Sequence, residues 1–93
     1  MLSQLPLDLK TVKKGDVNRE ILRLGIIAEL DAVSLYEQMA AMTDSEDIRN
    51  VLADIAKEEK THVGEFQALL LKEDAEQAKE LKEGRAEVDE ITR

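Results

Sequence analysis

Apolar residues recur along most of this chain at alternating steps of three and four, the spacing that lays side chains along one face of an α-helix. From Asp16 or Val17, positions suited to a cap, to Met42 there is no proline and one internal glycine, Gly25. The stripe there reads Leu22, Ile26, Glu29, Val33, Tyr36 and Ala40, which predicts a first helix over about 17–42. After "TDSE", where Thr43 and Glu46 stand at capping-box spacing, a second helix is expected over about 45–71. Its stripe reads Ile48, Leu52, Ile55, Glu59, His62 or Val63, Phe66 and Leu70. Gly64 lies inside that helix without interrupting the pattern; since a mid-helix glycine costs about 1 kcal/mol against alanine, a close packing contact is expected there. A third, shorter helix is expected over about 74–83, with Asp74 and Gln77 at capping spacing and Gly84 at its end. Residues 84–93 form a charged tail, either a helical extension or disordered. Residues 1–15 hold the only proline, Pro6, and end in Lys13-Lys14-Gly15, which reads as an extended or mobile lead-in. No strand pattern, repeat or low-complexity linker is present. The chain reads as a single all-α domain, an antiparallel two-helix hairpin plus a short C-terminal helix.

Two of these apolar stripes contain charge. Glu29 lies on the first, and Glu59 and His62 lie on the second, whereas Lys57, Glu58, Lys60, Thr61 and Glu65 fall on outward faces. A buried carboxylate without a partner is expensive, by several kcal/mol, so three titratable groups on inward stripes need a reason. In an antiparallel hairpin two groups meet only when they are equally far from the bend. Glu29 and Glu59 are centred on residue 44, inside the expected turn, so each sits about 22 Å along its own helix from the bend, and His62 is less than one turn further along. Tyr36 either packs in the interhelical seam or sits beside this cluster. Asp31 and Glu37 flank the stripe, Glu37 on a solvated face. Met39 and Met42 read as core or interface filling.

Composition narrows what such a cluster can do. The core of a 93-residue chain with one Tyr, one Phe and no Trp must come from Leu, Ile, Val, Ala and Met. Chains of this size bury only about 60–65% of their unfolded surface, and oligomerisation is a common remedy. A net charge of −8, from 21 acidic and 13 basic residues, argues against nucleic acid and anionic membrane as partners and favours cations. Without cysteine there is no disulfide framework or iron–sulfur centre, and any metal must be held by oxygen and imidazole. No segment reaches the ~18 apolar residues of a membrane span, and a cytoplasmic location is expected. Abundant Glu and Lys without Cys also suit a thermophilic source.

Di-iron carboxylate bundles take a Glu from each of two helices and a Glu-x-x-His from each of two others. This chain supplies one such Glu, Glu29, and one such motif, Glu59-x-x-His62, so two copies across a two-fold axis complete both the four helices and the ligand set. The first helix is also apolar over a broad arc, with Leu24, Ile27, Leu30 and Leu35 beyond its stripe, more than one hairpin partner covers. Carboxylates with one imidazole per metal suit iron or manganese and rank zinc lower as the native metal, although zinc binds such sites too.

The stretches "AELDAVSLYEQ" (28–38) and "EEKTHVGEF" (58–66) resemble those of encapsulated ferritins, short members of the ferritin-like and rubrerythrin group that work inside encapsulin nanocompartments. The resemblance implies a hairpin plus short C-terminal helix that dimerises into a ferritin-like four-helix bundle with a di-iron ferroxidase centre at the interface, two irons per dimer. It further implies a ring-shaped decamer of five such dimers and an encapsulin shell protein as partner, in the cytoplasm. By position, Glu29, Glu59 and His62 match the family's iron ligands, and Tyr36 matches a tyrosine beside the centre. Some relatives carry glutamates one residue before and two after the first ligand as an outer site for incoming iron; Ala28 and Asp31 stand there in this chain, leaving Asp31 a peripheral role. The chain also looks similar to a domain that some archaeal relatives fuse to the shell protein, so a fused domain and a separate cargo protein both fit.

The expected activity is therefore oxidation of Fe²⁺ to Fe³⁺ for storage in the shell. Two alternatives stand beside it: a rubrerythrin-like di-iron peroxide reductase, and a non-catalytic helical assembly module holding a structural metal.

Overall fold

The computed structural model describes Lys10 and residues 12–93. Most of the expected lead-in, residues 1–9 and 11, lies outside the described residues; its end forms a single 3-10 turn, Lys14–Asp16. Three α-helices follow: α1 (Val17–Met42), α2 (Glu46–Glu73) and α3 (Ala75–Ile91). No strand occurs among the described residues, and none of the helices is long and apolar enough to cross a membrane.

At 26 and 28 residues, α1 and α2 are matched in length at about 40 Å each, and they pack along one another as an antiparallel hairpin. The bend differs from the expected capping box. Thr43 closes α1, its amide donating to the Met39 carbonyl at 3.3 Å, and its hydroxyl accepts from the Ser45 amide at 3.1 Å. Ser45 then caps α2 by accepting from the Ile48 amide at 3.3 Å. Thr43 sits too early to serve α2 because its extended backbone already belongs to the end of α1. Arg49 closes the bend from above, donating to the Thr43 carbonyl at 2.6 Å.

The core is small. Leu22 and Val33 from α1 and Leu70 from α2, on the facing stripes, and Ala56, one step beside the α2 stripe, are buried, while Ile27, Leu30, Ile48 and Val51 remain exposed by 37–59%. The broad apolar arc of α1 is thus not consumed by its hairpin partner. The helices pack tightly at Gly25: a Cβ added there meets the Phe66 ring at 3.0 Å. The expected close contact at Gly64 is absent, since nothing lies within 4 Å of a Cβ at that position. Gly64 is exposed on the outer side of α2, one step off the stripe that faces α1.

A single residue, Asp74, joins α2 to α3. Extended in backbone, it caps α3 by accepting from the Gln77 amide at 3.0 Å and takes a hydrogen bond from Arg23 Nη2 of α1 at 2.9 Å. The Gln77 amide, with the Arg23 and Arg19 guanidiniums, holds the Asp74 carboxyl below the ordinary carboxylate range despite its burial. The third helix does not stop at Gly84. That residue keeps a negative φ and therefore does not make the left-handed turn that ends helices, and the Glu, Lys, Arg and Ala around it are strong helix formers. The helix instead runs to Ile91, where Thr92 closes it through its amide and hydroxyl, both donating to the Val88 carbonyl.

Candidate metal centre

Halfway along the hairpin the two inward stripes deliver three polar side chains to one point. Glu29 comes from α1, Glu59 and His62 from α2, and one donor atom of each lies within 4.8 Å of the other two. Local helix geometry explains the convergence. Glu59 and His62 are three residues apart, so both project from the same side of α2, and Glu29 stands opposite because α1 and α2 run equal lengths from the bend. His62 Nδ1 faces both carboxylates, 3.4 Å from Glu29 Oε2 and 3.5 Å from Glu59 Oε2.

Burial is uneven. Glu29 and Glu59 each keep 19% of their side chain exposed and His62 keeps 45%, so the carboxylates sit in the seam and the imidazole at its edge. The cluster borders an open groove of about 340 Å³ lined by Glu29, His62, Glu65, Phe66 and Leu69. Glu65, placed on the outward face by the sequence pattern, is exposed yet lines this groove one turn beyond His62.

The donor set fits a metal ion better than it fits a closed hydrogen-bond network. Glu29 Oε2 is buried and makes no hydrogen bond, although the His62 ring nitrogen is 3.4 Å away. A buried carboxylate oxygen left this way forfeits its solvation. The N···O separations are longer than a good hydrogen bond and shorter than twice a metal–ligand bond of about 2.1 Å, the spacing of atoms that ligate a common ion. Two carboxylates against one imidazole also leave net negative charge even when His62 is protonated, which a divalent cation offsets.

The other residues singled out by the sequence lie further off. Tyr36 is half-buried two turns nearer the bend, about 10 Å along α1 from Glu29. Asp31 is half-buried and is not one of the three converging groups. Glu37 is exposed and accepts a hydrogen bond from Lys60 at 3.0 Å across the hairpin. Sequence reasoning misses the contact of Gly25 with Phe66 next to the cluster; a glycine one turn before Glu29 is the available signal.

Known proteins share this arrangement of chain. Residues 20–92 match the sequence profile of the rubrerythrin family. A ferritin-like–encapsulin shell fusion protein of Pyrococcus furiosus is 63% identical over 73 residues, 78% of this chain and 21% of that protein. The encapsulin nanocompartment cargo protein EncC of Myxococcus xanthus is 42% identical over 62 residues, 67% of this chain and 48% of that protein. The chain thus spans about a fifth of the first relative and about half of the second. Its fold superposes on the crystal structure of an encapsulated ferritin domain from Pyrococcus furiosus with a TM-score of 0.84 at 52% identity, covering 99% of this chain and 96% of that one. The chain belongs to the rubrerythrin family of ferritin-like proteins and, within it, to the encapsulated ferritins.

Proposed function

We propose that the chain is a ferroxidase whose site is shared between two copies, oxidising Fe²⁺ for storage in an encapsulin nanocompartment. The observation that carries this reading is Glu29 Oε2, buried and without a hydrogen bond beside Glu59 and His62. One chain offers two carboxylates and one imidazole. A homodimer doubles this to the four carboxylates and two imidazoles of a two-iron site, and the exposed Ile27 and Leu30 near Glu29 supply apolar surface for the pairing.

Iron is the substrate here, with manganese and zinc as substitute metals for the same oxygen and nitrogen donors. Two ferrous ions give up one electron each; the pair reduces O₂, with two protons, to hydrogen peroxide, or reduces hydrogen peroxide, with two protons, to two waters. Glu29 and Glu59 would hold the ions, and the negative charge they bring would favour the ferric product over the ferrous substrate. His62 completes each ion's ligand set through a ring nitrogen and, at the edge of the seam, remains open to solvent. Tyr36, about 10 Å along α1 from Glu29, and Asp31 are given peripheral roles in this reading.

A hairpin of this size encloses no volume for mineral, so storage requires a container. The shell fusion and cargo proteins similar to this chain support an encapsulin shell as that partner, in the cytoplasm; a decamer of five dimers is the assembled form that goes with this proposal. The rubrerythrin match supports a second reading in which peroxide is the physiological oxidant and its removal the purpose.

Native mass spectrometry after anaerobic loading with Fe²⁺ tests the reading. Even-numbered assemblies with two irons per pair of chains are expected, with rapid oxidation on admitting O₂. Iron bound without pairing, or oxidation retained in full by Glu59→Ala, overturns it.

A further inference from the structure

The groove beside the metal cluster holds a carboxylate that the cluster does not use. It is lined by Glu29, His62, Glu65, Phe66 and Leu69, so its charged or polar groups are two members of the cluster and Glu65, and the rest of its wall is an aromatic ring and a leucine. Glu29, whose buried Oε2 makes no hydrogen bond, is at the covered end. Glu65 is exposed and is not one of the three converging groups. The step of three that joins Glu59 to His62 is repeated from His62 to Glu65, which puts Glu65 on the same side of α2, ~4.5 Å further along the axis. His62, at the edge of the seam, belongs to both the cluster and the groove.

Among the described residues nothing balances this charge. The lining holds no lysine or arginine, Glu65 makes no hydrogen bond or ion pair, and Lys60 of the same helix is engaged by Glu37 at 3.0 Å. A third carboxylate near two others adds to their mutual repulsion, so Glu65 stabilises nothing in the hairpin alone. For a divalent cation the same charge is an attraction, and the apolar walls of the groove limit its screening. We propose that Glu65 is the entry carboxylate of the site: it draws a divalent cation into the groove and hands it past the exposed edge of His62 to Glu29 and Glu59, without remaining among the ligands. The inference rests on the metal reading of those three residues and gives their site a solvent end. Fe²⁺ takes this route in the proposed reaction, and other divalent ions accepted by the same donors take it too.

Stopped-flow mixing of the full chain with excess Co²⁺, followed by the visible absorption of the ligated ion, tests the route apart from iron oxidation. The slope of the observed rate against Co²⁺ concentration is expected to fall about fivefold in Glu65→Gln at low salt, and by less than about twofold near 1 M, where the screening length is about 3 Å. Glu65→Asp, which keeps the charge, should stay within about twofold of wild type. Glu58→Gln is the control. It removes the same charge from the same helix, four residues before His62 and exposed, but outside the groove, and should lower the slope by less than about twofold. A Glu65→Gln slope equal to wild type overturns the proposal, as does a loss matched by Glu58→Gln or one indifferent to salt. The saturated absorbance separates the route from the site: Glu59→Ala should lose it and Glu65→Gln should keep it. A wild-type chain without a saturable Co²⁺ signal overturns the site and the route together, whereas full saturation of Glu65→Gln at an unchanged rate overturns the route alone. Saturation lost in Glu65→Gln makes Glu65 a ligand and equally overturns its role at the entrance.

Discussion

Substitution of Gly25 by alanine tests whether the tight contact between Gly25 and Phe66 also sets the geometry of the candidate metal site. The added Cβ would lie 3.0 Å from Cδ1 and Cε1 of Phe66 and 3.1 Å from Cδ2, whereas carbon atoms rest at about 3.5–4.0 Å. The ring, or α1 itself, must give by a few tenths of an ångström. Two terms then oppose each other. Alanine in place of glycine favours a helix by about 1 kcal/mol, and overpacking costs about 1–3 kcal/mol, so the fold should lose about 2 kcal/mol at most. The site should suffer as well as the fold. Gly25 is one turn before Glu29, and Phe66 is one turn after His62 and lines the same groove, so widening the seam there moves the carboxylate of α1 away from the donors of α2. With separations already at 3.4 and 3.5 Å, metal affinity is expected to fall about tenfold, or 1.4 kcal/mol. Urea unfolding of the metal-free chain gives the first quantity and calorimetric titration with a redox-inert divalent ion gives the second. Trimming the ring, in Gly25→Ala with Phe66→Leu, should return affinity toward wild type, a coupling that a double-mutant cycle reads directly. A Gly25→Ala chain stabilised by the full helix-propensity gain and binding metal as wild type does would refute the contact.

Further outcomes follow from other parts of the hairpin. Glu59→Gln keeps the side-chain volume but removes one of two carboxylates, and should abolish stoichiometric iron oxidation while leaving helix content unchanged by circular dichroism. Gly64→Ala should stabilise the metal-free chain by about 1 kcal/mol, because no atom of its own chain opposes the new methyl group; destabilisation in urea melts would show a contact that the hairpin alone does not make. Asp74 carries a folded-state pKa below its ordinary 3.8, so its stabilising contribution is complete above the unfolded value and is lost as pH falls through the folded one. An acid titration followed by circular dichroism should therefore show less pH dependence below 3.8 in Asp74→Asn, which keeps a capping oxygen but not the charge facing Arg23; identical acid limbs would contradict that assignment.

Much of this molecule is legible in the sequence because helical periodicity is a local property. The stripes of α1 and α2 place Leu22, Val33 and Leu70 inside and Lys57, Glu58, Lys60 and Thr61 outside, and the odd pair of carboxylates on those stripes singles out the groups that converge with His62 across the hairpin. What the pattern misses depends on a choice between near-equal local signals. Thr43 and Ser45 are both good caps, and which one opens α2 depends on where α1 ends. Gly84 carries the sign of a helix end, but that sign acts only in the left-handed conformation, and its neighbours favour continuing. Gly25 and Gly64 are alike in sequence context; only the side chain across the hairpin, Phe66 in one case and none in the other, separates a packing glycine from a surface one. No local rule reaches across the hairpin to make that distinction.

The incomplete core and the incomplete site have one physical origin. Two helices can bury only the stripe each shows the other, and the stripe facing α2 is the one that carries Glu29. Filling that position with an apolar residue would improve the lone hairpin, since a buried oxygen without a hydrogen bond is a net penalty to folding. The penalty is lifted only by something that binds the folded state and not the unfolded chain, and whatever does so adds stability in proportion to its own free energy of binding. A cation held by Glu29, Glu59 and His62 does this from inside the seam, and a second hairpin laid over the exposed Ile27 and Leu30 does it from outside by excluding water from the same carboxylates. Each makes the other more favourable, because a drier site strengthens the attraction between cation and carboxylate and a neutralised site removes the charge repulsion between two facing hairpins. Metal occupancy and pairing are therefore expected to be thermodynamically linked in this chain, each raising the apparent affinity of the other by the same factor.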